Sequence, residues 1–130
     1  MFDHLLFIKD QLNHLLGLGS RGYFLDSVSY QAFNVARLRL DEALSHPSEK
    51  PIAIVSDIDE TFMNTSYYAV ECGQKGTEYE SKSWEAWTAK GEGTPLAGSL
   101  AFFQYAAEKG VHIFYVTTRK EVERAGTTLN

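Results

Sequence analysis

The chain has 130 residues, enough for one domain with a buried core, and its composition is that of an ordinary globular protein. With 12 basic and 17 acidic residues, the formal charge is −5, which excludes the electrostatic footprint of a nucleic-acid-binding protein or of a protein drawn to anionic membranes. Cys72 is the only cysteine, so an intrachain disulfide is also excluded, and we expect its side chain to be a small, partly buried apolar group.

Residues 1–50 are predicted to form a helical lead-in. Leucines recur at helical spacing over residues 2–16, and Gly17 provides a stop for this first helix. Charged residues interrupt the apolar amino terminus, so it is not predicted to be a signal peptide or a transmembrane span. The cellular compartment therefore stays open.

A second helix is predicted over residues 27–44, with Asp26 as its N-cap. Arg37 and Arg39 are predicted to lie on a solvated face with local ion pairs rather than in a phosphate clamp. The inner side of the helix is predicted to carry Val28, Ala32, Val35, Ala36, Leu40 and Leu44.

Residues 51–61 are predicted to hold a central strand and two carboxylates. The apolar run at residues 52–55 is typical of a parallel strand that is buried on both faces. Asp57 and Asp59 follow two residues apart, so in an extended backbone both side chains would leave the same side at the carboxyl end of the strand, where ligands bind in open α/β sheets. This pattern favours Asp57 as a nucleophile and Asp59 as an acid/base, although aspartates also end strands, cap helices and form turns.

Residues 62–98 are predicted to be a cap or specificity segment, because the sequence loses both helical and strand periodicity there. Ser83 is expected to cap a short helix that carries Trp84 and Trp87 about one turn apart. Trp87 is predicted to be a core residue. Trp84 is either a core residue or a ring that stacks on a nucleobase or on an aromatic leaving group.

Residues 99–130 are predicted to hold a helix, a second strand and the start of another helix. The helix spans residues 100–109, with an apolar stripe of Leu100, Phe103 and Ala107, and the buried strand spans residues 111–116. A βαβ unit makes its two strands parallel, so Thr117 should lie at the same sheet edge as Asp57. The Thr117 hydroxyl and the following backbone amides, including that of Thr118, could then donate to a phosphoryl oxygen.

Several motifs resemble one known family. Asp57-Ile58-Asp59-Glu60-Thr61 is similar to the first motif of the haloacid dehalogenase superfamily of aspartate-dependent phosphotransferases. Residues 64–68, the Trp84-x-x-Trp87 pair and residues 114–120 resemble the class C acid phosphatases, including the bacterial lipoprotein 5'-nucleotidases. The resemblance runs from about Tyr23 to the last residue, Asn130.

The resemblance implies an α/β fold with a haloacid-dehalogenase-like Rossmannoid core, preceded by two helices. It also implies a phosphomonoester hydrolase that depends on magnesium (Mg2+) and acts through an aspartyl-phosphate, with Thr117 and Thr118 binding the phosphate. The Asp57 carboxylate and the backbone carbonyl of Asp59 would bind the metal. Nucleoside monophosphates or aromatic phosphates would be the substrates.

The chain departs from this family in two ways. Residues 64–68 and 117–119 differ from the usual family patterns, which affects substrate contacts more than chemistry. The family's third-motif lysine and fourth-motif aspartates are not present, and Lys120 comes too early to replace that lysine. We therefore expect residues 1–130 to be a single, incomplete domain with impaired activity on its own and with a sheet edge open to self-association. The alternative is a noncatalytic storage or interaction protein on the same scaffold.

Overall fold

The computed structural model describes residues 21–46 and 48–129. The predicted helix at residues 2–16 lies outside these residues. Helix α1 spans Arg21–Ser45, so it begins upstream of the predicted start. Asp26 is therefore inside the helix and not at its N-cap. Residues 21–25 contain no proline, so they can form helical turns ahead of it.

One stripe of α1 faces the core. Leu40 is buried there, and three neighbours on the same stripe, Phe33, Ala36 and Leu44, pack against the core while partly buried. The prediction was wrong for Ala32 and Val35, which are exposed, and it did not include Phe33. Positions 33, 36, 40 and 44 follow the helical period, which places residues 32 and 35 on the flank.

Two parallel strands form the sheet that positions the site. Strand β1 spans Ala53–Ser56 and strand β4 spans His112–Tyr115. They pair in register from Ala53 opposite His112 to Ser56 opposite Tyr115. The predicted parallel βαβ arrangement is confirmed.

The sheet is covered on one face only within the described residues. Ile54 and Ile113 pack against the core formed with α1 and with the later helix at Ser99–Glu108. On the other face, Val55, Phe114 and Val116 are 68%, 56% and 64% exposed. Neighbouring residues of a strand point to opposite faces, and both helices lie on the same side, so the prediction of burial on both faces was wrong for these strands. We call the surface of Val55, Phe114 and Val116 the open sheet face.

The segment between β1 and β4 is more regular than its sequence suggested. It contains strand β2 (Met63–Asn64), helix α2 (Ser66–Lys75), helix α3 (Ser81–Thr88) and strand β3 (Thr94–Pro95), which pairs antiparallel with β2. Ser83 lies inside α3 and does not cap it. Its hydroxyl bonds to the carbonyl oxygen of Glu80 and to the Tyr68 hydroxyl.

Helix α4 spans Ser99–Glu108 and supplies most of the core. Its buried residues are Ser99, Phe102, Phe103 and Ala106, a spacing that marks one helical face. Of the predicted stripe, only Phe103 is buried, because Leu100 and Ala107 lie on the flank of the buried face, beyond Phe103. Gly98, just before the helix, has φ of 84°, and a Cβ there would lie 3.0 Å from the Tyr30 ring, so both conformation and space favour glycine.

After β4 the structure has a 3₁₀ turn at Glu121–Glu123 and helix α5 at Arg124–Leu129. None of the helices in the described ranges has both the length and the apolar character needed to cross a membrane.

Replacement of Phe102 tests which face of α4 packs in the core, the observed one or the predicted one. We expect Phe102→Ala to lower the free energy of unfolding by about 3–5 kcal/mol, because it opens a cavity beside Phe33 and Phe103. Leu100→Ala, on the exposed side of the same helix, should change it by less than about 0.5 kcal/mol. Denaturant unfolding measures both values. Equal losses for the two variants would contradict this core assignment.

Candidate active site

The two strands end side by side and present polar residues at the same edge. The backbone N–H of Val116 donates to the Ser56 carbonyl oxygen at 2.9 Å, so pairing continues to the last residue of β1. Asp57 follows β1 directly, and Thr117 follows Val116. The predicted meeting of Asp57 and Thr117 at one sheet edge is confirmed.

The Asp57 residue is exposed at this edge. One of its carboxylate oxygens accepts a hydrogen bond from the backbone N–H of Ile58 at 2.7 Å. The Thr117 hydroxyl oxygen accepts a hydrogen bond from the backbone N–H of Arg119 at 3.1 Å, which keeps its own proton available for another acceptor. An accessible carboxylate beside a hydroxyl donor suits attack on a phosphoryl group.

A tight turn follows Asp57 and fixes the rest of the first motif. The carbonyl oxygen of Ile58 accepts from the backbone N–H groups of Phe62 and Met63 at 2.9 and 2.8 Å. Glu60 has φ of 54°, a left-handed conformation that is uncommon for a residue with a side chain. Its carboxylate accepts bonds from the backbone N–H and the hydroxyl of Thr65, at 2.9 and 2.6 Å. Glu60 thus ties the turn to the start of α2, a role that the motif alone did not reveal.

Asp59 does not share the surroundings of Asp57. The guanidinium group of Arg119 binds both of its carboxylate oxygens, with N–O distances of 2.6, 3.0 and 3.1 Å. The Arg119 side chain is only 3% exposed and also donates to the Thr127 hydroxyl at 2.9 Å. The predicted acid/base role would therefore require Asp59 to share or exchange this partner.

A cleft of about 240 Å3 opens beside this ion pair. Its lining is partly charged and partly aromatic, and it includes the predicted site residues Asp59, Trp84 and Thr118. Asp57 and Thr117 are not among the lining residues and lie at the adjoining strand ends. The complete lining is Asp59, Tyr79, Ser81, Trp84, Thr118, Arg119, Lys120 and Glu123.

Trp84 joins this cleft to a cluster of aromatic rings. It stacks on Trp87 with ring centroids 5.5 Å apart and meets the Tyr68 ring edge-to-face at 5.0 Å. The Arg119 guanidinium carbon lies 5.6 Å from its ring centroid. Trp84 is half-buried, while Trp87 is 8% exposed, which confirms the prediction that Trp87 belongs to the core. Trp84 is both packed and accessible from the cleft.

Lys120 also lines the cleft, but its charge is matched by a neighbour. Its ammonium group donates to Glu85 at 2.6 Å and to the Ser81 hydroxyl at 3.1 Å. The hydrogen bond to Glu85 raises the pKa of Lys120. The cation is therefore turned toward α3.

Metal ligands are sparse in the part of the chain that the structure describes. It contains no group of three or more histidine, cysteine, aspartate or glutamate side chains placed to hold a metal ion. Mg2+ usually takes one or two protein carboxylates and keeps several waters. The Asp57 carboxylate and the Asp59 backbone carbonyl fit such a minimal set, since the Asp59 carboxylate is held by Arg119.

Sequence reasoning assigned no role to Arg119, Glu60 or Glu123. Arg119 could have been suspected from its place directly after the two threonines, but its partner lies about 60 residues away in the chain. Glu123 is buried and accepts from the Thr88 hydroxyl at 3.1 Å and from the Lys120 backbone N–H at 2.8 Å. Nothing in its local sequence signals that burial.

Comparisons with known proteins agree with this geometry. Residues 9–130 match the family described as HAD superfamily, subfamily IIIB (Acid phosphatase). The solved structure of a class C acid phosphatase from Bacillus anthracis with tungstate bound is 32% identical, with a TM-score of 0.79, and the match covers 92% of this chain and 49% of that one.

A second structure of the Bacillus anthracis class C acid phosphatase is 30% identical, with a TM-score of 0.74, and the match covers 90% of this chain and 52% of that one. The chain thus spans about half the length of these solved relatives. The family match, the parallel strands and the carboxylate at the end of β1 lead to one conclusion: the chain belongs to the HAD superfamily, subfamily IIIB acid phosphatases.

Proposed function

We propose that this chain carries the nucleophile part of a phosphomonoesterase site, with Asp57 as the nucleophile. The observation that supports this role most directly is the exposed Asp57 carboxylate at the end of β1, beside Thr117. Family membership makes phosphomonoesters the expected substrate class. A noncatalytic storage or interaction role has no comparable observation in its favour.

In the first step, an Asp57 carboxylate oxygen attacks phosphorus and the bond from phosphorus to the leaving oxygen breaks. Asp59, released from Arg119 and protonated, gives its proton to that oxygen, so an alcohol and an aspartyl-phosphate result. In the second step, Asp59 takes a proton from water as the water attacks phosphorus, which restores Asp57 and releases phosphate. The Thr117 hydroxyl and the Thr118 backbone amide donate to the phosphoryl oxygens in both steps.

A divalent metal ion is typical of acid phosphatases in this family. We propose Mg2+, held by the Asp57 carboxylate and the Asp59 backbone carbonyl, where it would screen the negative charges of nucleophile and phosphate. These two ligands are a small set. This chain alone is therefore expected to turn over phosphomonoesters slowly.

The cleft beside Asp59 is the proposed place for the leaving group. Its aromatic wall consists of Trp84 and Tyr79, whose ring centroids are 6.2 Å apart. Flat apolar rings are suited to stacking on a nucleobase or on an aromatic alcohol. Nucleoside monophosphates and aromatic phosphates are therefore the proposed substrates.

The open sheet face is the proposed surface for self-association. Parallel strands are almost always covered on both faces, and within the described residues three large apolar side chains lie uncovered here. A second copy of the chain would present the same face in return, which makes a two-fold symmetric contact possible.

The nucleophile is tested by trapping a covalent intermediate, which does not need rapid turnover. With a phosphate-labelled aromatic monoester and Mg2+, the parent chain should retain label after acid quenching, and chelation of the metal should remove that signal. Asp57→Asn should lower labelling on the order of a thousandfold or more. Asp26→Asn, an exposed change on α1, should label like the parent. Parental labelling of the Asp57 variant would refute the assignment.

Stacking is tested by comparing substrates. Trp84→Ala should weaken binding of nucleoside monophosphates by roughly 1–3 kcal/mol relative to small aliphatic phosphates. Tyr67→Ala, which removes an exposed aromatic ring from α2, should leave the ratio unchanged. Calorimetric titration with both ligands measures the difference. Equal weakening of both ligands together with a lower melting temperature would mean that Trp84 serves only the core.

Self-association is tested by placing a charge on the open sheet face. The parent chain should show a mass above that of a monomer in sedimentation equilibrium, and Phe114→Lys should restore the monomer because a buried, unpaired ammonium group is costly. Leu38→Lys, on the exposed side of α1, serves as the control and should associate like the parent. A monomeric parent chain would end this proposal.

A further inference from the structure

The loop after β4 is fastened to helix α3 by side chains that the proposed reaction does not use. Lys120 reaches Glu85 and Ser81 near the start and middle of α3, at 2.6 and 3.1 Å. Glu123 reaches Thr88 at the end of α3, at 3.1 Å. The loop therefore contacts α3 at its start, its middle and its end.

The contact at the end of α3 is buried. Glu123 and Thr88 are 3% and 2% exposed, and the second carboxylate oxygen of Glu123 accepts the Lys120 backbone N–H at 2.8 Å. A buried carboxylate needs such donors. Its removal would leave the Lys120 backbone N–H without this acceptor and the Thr88 hydroxyl with only the Glu85 carbonyl oxygen, at 3.1 Å. Glu123 therefore holds the loop and the helix in one fixed relation.

Close backbone packing adds a third contact. A Cβ on Gly126 of helix α5 would lie 2.1 Å from the carbonyl oxygen of Thr88, so α5 approaches the end of α3 as closely as only glycine allows. We call Lys120, Glu123 and Gly126, with their contacts on α3, the α3 clamp.

The clamp connects the phosphate-binding loop to the aromatic wall of the cleft. Lys120 comes three residues after Thr117, and Trp84 lies on α3 between Ser81 and Glu85. Arg119, which precedes Lys120 in the same loop, forms an ion pair with Asp59 and places its guanidinium group against the Trp84 ring. A shift of the loop would therefore move Trp84 relative to the reacting carboxylates.

We propose that the α3 clamp sets the position of Trp84 over the cleft and that Glu123 is a positioning residue for leaving-group recognition. This inference rests on the proposed function, because only a leaving group in the cleft would meet Trp84. Glu123 lines the cleft, but its carboxylate oxygens accept hydrogen bonds from Thr88 and Lys120, so its proposed role acts through the position of Trp84.

The first test needs no substrate, because both tryptophans of the chain lie on α3 and their fluorescence reports on this helix. Glu123→Ala should raise the rate of acrylamide quenching about twofold as α3 loosens. Glu123→Gln keeps an acceptor oxygen and should recover most of the parental value. Glu121→Ala, an exposed change in the same 3₁₀ turn, is the matched control and should quench like the parent.

The second test separates positioning from general loss of structure. In Glu123→Ala, the ratio of affinities for adenosine 5'-monophosphate and inorganic phosphate should fall about threefold, whereas phosphate alone should bind as in the parent. If Glu123→Ala does not fold, the same two ligands are titrated against Lys120→Met. Lys120 is exposed, so its replacement should not prevent folding, and it removes the contact with Glu85 at the other end of the clamp.

Parental quenching in both Glu123→Ala and Lys120→Met would overturn the clamp. Equal changes in Glu121→Ala would overturn it as well. A parent chain that binds nucleotide and phosphate equally would refute the proposed stacking role of Trp84 but not the clamp, which the quenching data judge independently.

Discussion

The ion pair between Asp59 and Arg119 joins the two motifs on which the site depends. Asp59 follows the first strand of the sheet and Arg119 follows the second, and the guanidinium group closes the gap between them with three hydrogen bonds. Because the Arg119 side chain is almost fully buried, removal of Asp59 would leave an uncompensated buried charge, at a cost of about 3–5 kcal/mol. The same arginine contacts Trp84 and Thr127, so it links the ion pair to both α3 and α5.

This arrangement separates the two carboxylates by environment. Asp57 is exposed and held by a single backbone N–H group, whereas Asp59 is held by a cation. Two carboxylates that perform different tasks need different surroundings. Asp57 and Asp59 are close together in one short motif, so the motif itself does not give them different surroundings. The difference comes from the tertiary contact of Asp59 with Arg119.

The parts of the fold that could be predicted depend on local pattern or on general topology. The parallel pairing of β1 and β4 follows from two apolar runs joined by a helical crossover, and the meeting of Asp57 and Thr117 follows from that pairing. The burial of Trp87 follows from its size. The buried face of α4 was mispredicted because Leu100 and Phe102 are both apolar, and only the packed structure shows that Phe102 faces the core.

Other features required information that the local sequence does not hold. An apolar run such as residues 52–55 indicates a strand that tolerates burial, but it does not specify which segment covers each face, and Val55 is exposed here. Arg119 and Glu123 find partners on distant elements. The short helix that carries Trp84 and Trp87 was predicted, although it starts at Ser81 and Ser83 does not cap it. Helix α2 was hidden because Tyr68 packs with these tryptophans rather than in a simple apolar stripe.

The register of β1 with β4 also has a kinetic consequence. Its paired residues, such as Ala53 and His112, are about 60 positions apart in the chain, so the intervening loop must close before the strands can gain any pairing energy. Contacts of such long sequence separation slow folding, whereas α1 and α4 can acquire helical turns early. Until the strands meet, Val55 and Phe114 are exposed on unpaired backbone, which is the state most prone to aggregate.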